Sequence, residues 1–195
     1  MATVLLGVLA YLCGSLPTGV WFGRWAGVDV RRSGSGNIGA TNVARTAGVR
    51  LALLTLICDI AKGFVPTVIA RALLVDPWLV QFVGLAAFFG HIYSVFLRFS
   101  VGKGVATGFG VFLGLAPIAA VVCVAVFAAV AFSTRYVSLA SMAAAASLPV
   151  ASVLAGYGIP TCASGLVIGA VIVARHRDNL GRLRRGVEPK FRASH

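Results

Sequence analysis

The chain has 195 residues, 59% of them hydrophobic and 11% charged, with a net charge of +12. A soluble domain carries roughly 25% charged residues, so the long apolar stretches here read as membrane spans and not as core. The basic residues fall in the connections and the C-terminal tail, a distribution that fits membrane topology and excludes a nucleic-acid-binding protein. The chain reads as one domain, residues 1–195. Cys13, Cys58, Cys123 and Cys162 each sit in an apolar stretch with no metal-ligand spacing and no disulfide framework, so they read as small packing residues.

The first apolar run, residues 2–22, contains Gly14, Ser15, Pro17, Thr18 and Gly19, which are costly toward lipid and place that half against other helices or a polar cavity. It has no basic region before it and no small-residue cleavage site, so it reads as a retained span. A polar, basic connection follows, with the stretch Asp29 to Arg45, DVRRSGSGNIGATNVAR, at its centre. Gly34, Gly36 and Gly39 free the backbone to approach a ligand; Ser35, Asn37, Thr41 and Asn42 add short donors and acceptors; Arg31, Arg32 and Arg45 add positive charge. Together these groups make an anion site, phosphate above all. Gly34 to Gly39 also fits G-x-G-x-x-G, but a dinucleotide site needs a strand before the glycines, and residues 27–33 are polar and basic.

The second run, Leu51 to about Leu74, carries Asp59 and Lys62 at i and i+3, on one helix face. An inward-facing ion pair bracing the bundle and a direct substrate contact both fit. The third run, Trp78 to Leu97, holds His91 in an apolar context, a packing residue or a base. In the connection that follows, Lys103 lies between Gly102 and Gly104, so backbone and ammonium can reach one anion. This is no Walker A loop, because Leu97 stands where its first glycine is required.

Residues 105–132 are too long for one span and short for two, and Pro117 offers a break. Parity decides: one crossing would leave the basic tail outside, whereas two return it to the cytoplasm. The expectation is an all-α integral membrane bundle of seven transmembrane helices, some short or re-entrant, N-terminus outside and C-terminus cytoplasmic. The stretch before Pro117 supplies only about 16–21 Å of helix against a hydrocarbon core of roughly 30 Å. Ser138 and Ser141 lie at i and i+3 on the next span, as packing serines or as ligand hydroxyls, and Ile159 to Val173 forms the last. The tail carries His176, Asn179, Glu188 and Lys190 among its arginines, a set that a purely electrostatic anchor does not need.

These blocks together resemble the acyl-phosphate-dependent glycerol-3-phosphate acyltransferases of bacterial membranes. The resemblance runs nearly the whole length: GSLPTG at Gly14–Gly19, the stretch Asp29–Arg45, DIAKG at Asp59–Gly63, GHIYSVFLRFSVGKGVAT at Gly90–Thr107, TRYVSLAS at Thr134–Ser141, and the block from Arg175 to Lys190. It departs at Val101, where the family usually has the first of two glycines, at Ser100, often lysine, at Tyr93-Ser94, often Phe-Pro, and at Ala140, commonly serine. The resemblance implies a multi-pass enzyme of the bacterial inner (cytoplasmic) membrane, its active site facing the cytoplasm. It implies acyl transfer from acyl phosphate to glycerol 3-phosphate, giving lysophosphatidate and phosphate, as the first acylation of phospholipid synthesis.

That reaction brings two polyanions together, which in a low-dielectric site requires fixed cations. Arg45 and Lys103 are expected to hold the glycerol phosphate. Backbone amides around Gly34, Gly36 and Gly39, with Ser35 and Asn37, are expected at the acyl-phosphate end, and Thr41, Asn42, Gly102, Gly104 and Thr107 complete the binding set. Ser138, Ser141, His176 and Asn179 are expected to position the acceptor, with Glu188 and Lys190 orienting the tail. The H-x-x-x-x-D pair of acyl-CoA-type enzymes is absent, since Phe96 and Gly181 stand five residues after His91 and His176. His176 or a substrate phosphate oxygen then takes the hydroxyl proton, the substrate being preferred. No cofactor and no metal site is expected, and the chain reads as a monomer. A small anion or phosphate transporter is the alternative, with no inverted repeat to support it; a CDP-alcohol phosphotransferase would need clustered aspartates, and Asp29, Asp59, Asp76 and Asp178 are isolated.

Overall fold

The computed structural model describes residues 2–99 and 102–191, so Ser100, Val101 and the end of the basic tail from Arg192 lie outside the described residues. The described residues form helices and no strand: α1 (Ala2–Ser15), α2 (Thr18–Trp25), α3 (Ala40–Thr46), α4 (Val49–Leu73), α5 (Pro77–Ile92), α6 (Val105–Leu115), α7 (Pro117–Thr134), α8 (Val137–Leu154), α9 (Ile159–Arg175) and α10 (Arg177–Arg184), with a short 3₁₀ turn at Val95–Leu97. The missing strand removes the dinucleotide reading of the glycine motif.

Five helical segments among the described residues are long and apolar enough to cross a membrane: Thr3–Trp25, Val49–Leu73, Pro77–Leu97, Pro117–Thr134 and Val137–Leu154. α9 and α10, bent by 53° at their junction, make a sixth if counted as one. α6 has 11 residues, about 16 Å of helix, as the proline break foreshadows.

The chain divides into two compact units, Met1–Leu115 and Ala116–His195. In the first, α4 packs on α1, α2, α3, α5 and α6, and α1 packs on α5. Glycines make these approaches possible. A Cβ at Gly63 would collide with the Thr107 carbonyl, one at Gly110 with that of Ile60, and one at Gly14 with that of Ala87. Small residues let helix backbones meet where apolar area alone drives no association, since lipid is as apolar as leucine. The opposite faces, with Leu53, Ile57, Val65 and Phe82, are exposed and apolar. Arg71, near the end of α4, donates through Nη1 to the Gly114 carbonyl in the last turn of α6, supplying a partner that a helix end lacks.

In the second unit α8 packs on α7 and α9. Pro117 and Pro160 sit in the first turns of α7 and α9, where a missing N–H costs nothing. α7 stops at Arg135, which is left-handed at φ 62°.

Candidate functional site

The glycine-rich connection of the first unit is an ordered loop. Val30, Ile38 and Val43 are buried with Val20 and Ala52, and Leu97 of the 3₁₀ turn packs on the same cluster. Three apolar side chains thus pin the loop, while Ser35, Thr41 and Arg45 stay exposed. Gly34 and Gly36 take positive φ, 60° and 72°, which a side chain would resist.

Asn42 knots the loop from within. Its Oδ1 accepts from Ser35 N–H at 2.8 Å, and its Nδ2 donates to the carbonyls of Val30 at 2.9 Å and Ser33 at 3.0 Å. Asn37 accepts from Gly39 N–H at 3.4 Å in an Asx turn. Asn42→Ala removes three hydrogen bonds, each worth roughly 0.5–1.5 kcal/mol net. It is expected to lower the unfolding midpoint and to reduce kcat/KM at least about tenfold, because a loop of misplaced donors loses orientation. Thermal unfolding in detergent and steady-state rates measure the two effects.

The arginines of the loop differ. Arg31 donates through N, Nε and Nη2 to the Asp29 carboxylate at 3.0–3.1 Å. Those bonds, the side-chain ones foremost, hold the Asp29 carboxyl down to about 2 and push the Arg31 guanidinium up. Arg31 is therefore committed to an internal partner. Arg45 is exposed on α3 and has no ion pair among the described residues, and Thr41 and Ser35 are exposed as well.

Beneath the second polar turn of this unit lies a buried polar cluster. Lys62 Nζ is 2.8 Å from Asp59 Oδ1 and donates to the Leu16 carbonyl at 3.0 Å. Thr18 Oγ1 donates to the same carboxylate oxygen at 2.6 Å. Of the two readings of Asp59 and Lys62, the geometry shows the internal pair. The imidazole of His91 stands next to it, Nδ1 sharing a hydrogen bond with Thr107 Oγ1 at 3.1 Å and lying 4.0 Å from Asp59 Oδ1. Gly102 and Gly104 are buried at φ 94° and 77°, while Lys103 between them is half-buried. Thr107 is buried, its hydroxyl engaged by His91.

In the second unit the tail folds back. Glu188 is buried and receives three donors: Ser138 Oγ at 2.6 Å and Asn179 Nδ2 at 2.6 Å on Oε1, and Arg182 Nε at 2.7 Å on Oε2. Phe191 N–H donates to the Arg135 carbonyl at 2.9 Å, and Lys190 Nζ lies 5.3 Å from the Tyr136 ring centre. Ser141 donates to the Val137 carbonyl at 2.8 Å. His176 Nδ1 meets the Ile172 carbonyl at 2.7 Å; a carbonyl only accepts, so Nδ1 carries a proton.

Burial pushes the Glu188 carboxyl up, but the bonds from Ser138, Asn179 and Arg182 and the Arg182 charge outweigh it and leave it below its ordinary value. A carboxyl lowered on folding stabilises the fold above its unfolded pKa, and that contribution fades as pH falls through the folded value. The gap in unfolding midpoint between wild type and Glu188→Gln is therefore expected to be widest at neutral pH and to close as pH falls below the ordinary carboxylate range, as read by thermal unfolding in detergent.

The structure thus gathers Gly34, Ser35, Gly36, Asn37, Gly39, Thr41, Asn42 and Arg45 in one loop and helix, sets Gly102, Lys103 and Gly104 over His91 and Thr107, and joins Ser138 to Asn179 through Glu188. Sequence reasoning missed the partnership of Thr18 with Asp59 and of Arg182 with Glu188. A hydroxyl inside GSLPTG was the available signal for the first; the second had none, because charge excess hid one arginine among several.

Comparison with known proteins points the same way. The family model for glycerol-3-phosphate acyltransferase matches residues 4–186. The glycerol-3-phosphate acyltransferases of Geobacter sulfurreducens and Rubrobacter xylanophilus are 47% and 48% identical to the chain, covering 97% and 98% of it and 98% and 96% of themselves. A crystal structure of PlsY, an integral membrane glycerol 3-phosphate acyltransferase in its glycerol 3-phosphate form, is similar with a TM-score of 0.94 and 41% identity over 98% of this chain and 96% of that one. Its lysophosphatidic acid form gives a TM-score of 0.92 at 40% identity over the same shares. Two glycine-built polar turns at the ends of apolar helices, and a match that includes nearly every residue around them, have one explanation: this chain belongs to the glycerol-3-phosphate acyltransferase family.

Proposed function

We propose that this chain is an integral membrane enzyme that acylates glycerol 3-phosphate at its sn-1 hydroxyl with acyl phosphate as donor. The observation that carries the reading is the ordered loop at Asp29–Arg45 in a member of this family, held by Asn42 and by three buried apolar side chains, with Ser35, Thr41 and Arg45 exposed on it. The structures similar to it, in glycerol 3-phosphate and lysophosphatidic acid forms, carry a substrate and a product of such a reaction.

The hydroxyl oxygen of glycerol 3-phosphate attacks the carbonyl carbon of the acyl phosphate. The new C–O bond forms, the bond from that carbon to the phosphate oxygen breaks, and phosphate leaves with its electron pair. Arg45 and Lys103 hold the phosphate of the acceptor. The loop of Gly34, Gly36, Asn37 and Gly39, with the Ser35 hydroxyl, is assigned to the acyl-phosphate end; the Gly36 and Gly39 N–H groups donate within it, to the Ser33 carbonyl and to Asn37 Oδ1, and hold its shape. Thr107 acts through its bond with His91 and Asn42 through the loop it knots. Ser141, His176, Asn179 and Lys190 are assigned to hydrogen bonding with substrate, with Ser138 and Glu188 fixing Asn179. The hydroxyl proton passes to a phosphate oxygen of the substrate; His176 Nε2 is the competing acceptor, because Nδ1 is bonded to the Ile172 carbonyl.

Residues 1–195 are taken as one acyltransferase domain of the bacterial inner membrane. Seven crossings are assigned, with α6 as a short one, the N-terminus outside, and the basic tail and both glycine turns on the cytoplasmic side.

Acyl transfer to labelled glycerol 3-phosphate by the purified protein, with palmitoyl phosphate and palmitoyl-CoA in parallel, tests the donor. Lysophosphatidate from palmitoyl phosphate only is expected. Product from palmitoyl-CoA alone would overturn the donor assignment, and no product from either, together with phosphate flux into liposomes, would favour a transporter.

A further inference from the structure

His91 lies outside the groups that the reaction itself calls for, yet it is among the most enclosed polar residues of the first unit, 4% exposed. It sits in the last turn of α5, directly below the Gly102–Gly104 turn. A Cβ at Gly102 would stand 2.5 Å from His91 Nε2, 2.8 Å from Cδ2 and 3.1 Å from the His91 carbonyl oxygen. A Cβ at Gly104 would strike Phe88 and Ile92, the other residues of the same helix end. The turn that carries Lys103 therefore rests on α5 with no room for a side chain on either flank, and the imidazole forms half of the surface it rests on.

The imidazole is itself held. Its Nδ1 is tied to Thr107 in the first turn of α6, three residues after Gly104, so one ring connects both ends of the turn. On its other side are Asp59 Oδ1 at 4.0 Å, with the Lys62 ammonium and the Thr18 hydroxyl on that oxygen. A ring packed on one face and bonded at one nitrogen has a single orientation. A flat group below a pair of positive-φ glycines fixes their height, and with it the point from which the lysine side chain starts.

We propose that His91 is a positioning residue that sets the Gly102–Lys103–Gly104 turn for phosphate, acting through Lys103 without touching substrate. The proposal rests on the reading that Lys103 holds the phosphate of glycerol 3-phosphate. An error of about 1 Å in a positioning group can cost on the order of 100-fold in rate, so the support of the turn is expected to be visible in kinetics.

The test is steady-state kinetics in detergent with glycerol 3-phosphate and palmitoyl phosphate varied in turn, for wild type, His91→Ala, His91→Gln and Lys103→Ala. His91→Ala is expected to raise KM for glycerol 3-phosphate about tenfold or more and to leave KM for palmitoyl phosphate within about twofold. His91→Gln, which keeps volume and a hydrogen-bonding amide below the turn, is expected to recover most of that loss and remains usable should the alanine variant fold poorly. A fall in kcat with both KM values unchanged, matching a loss of folded protein, would make His91 a packing residue only and overturn the proposal. So would an unchanged KM in both histidine variants while Lys103→Ala raises it. If Lys103→Ala leaves KM for glycerol 3-phosphate unaltered, the phosphate reading of the lysine fails on its own variant, and the positioning role falls with it.

Discussion

Lys103→Ala is expected to lower kcat/KM for acyl transfer at least about 100-fold, roughly 3 kcal/mol of transition-state stabilisation, the scale of losing one preorganised donor from an anion site. The reason lies in the charge balance. Both substrates bring phosphate, and Arg31 of the glycine-rich loop is bound to Asp29 by three hydrogen bonds. Lys103 sits on a turn whose backbone is fixed at Gly102 and Gly104, so its ammonium is delivered from a rigid base. Lys103→Arg keeps the charge on a larger, planar head and is expected to recover part of the rate, because a phosphate accepts from either cation with different geometry. Rates with glycerol 3-phosphate varied at saturating palmitoyl phosphate measure both. Equal loss in the arginine and alanine variants would mean that shape, not charge, governs the turn.

The second large effect falls on stability. Lys62→Ala is expected to cost about 3–5 kcal/mol, because it leaves the Asp59 carboxylate buried with the Thr18 hydroxyl as its remaining close donor. The double variant Asp59→Leu with Lys62→Met removes both charges and is expected to recover most of the loss, since a buried pair and an apolar pair of similar volume differ little. Unfolding in detergent under increasing denaturant compares the three proteins. A single variant as stable as wild type would show the cluster to be hydrated rather than enclosed.

Much of this was legible from residue types. The glycines and short polar residues of Asp29–Arg45 announced a connection outside the long helices, and the i, i+3 spacing of Asp59 and Lys62 announced their pair, observed at 2.8 Å. The break at Pro117 announced a short α6. Other features follow from tertiary contact and carry no local sign. Asn42 reads as one more polar residue of the loop, yet its amide reaches back to Val30, Ser33 and Ser35. Glu188 and Ser138 are 50 residues apart, and only the fold-back of the tail brings them together. His91 reads as a lone intramembrane histidine until the turn at Gly102 is seen against its ring. Periodicity locates helices, but the partner of a buried polar group is chosen by which helix crosses it and at what height.

The bond from Arg71 to the Gly114 carbonyl has a consequence for the surrounding lipid. With the crossings assigned above, α6 is about 14 Å shorter than a hydrocarbon layer of roughly 30 Å. Its last carbonyls would otherwise end among acyl chains, and Arg71 of the neighbouring α4 supplies a donor to that of Gly114. With α6 as a crossing, the bilayer would be drawn inward beside it. Adapting a membrane to such a mismatch costs fractions of a kcal/mol per Å, so the dimple is shallowest in membranes built from short acyl chains. An enzyme that adds acyl chains to new phospholipid would then reside most comfortably in a bilayer whose thickness those same chains determine.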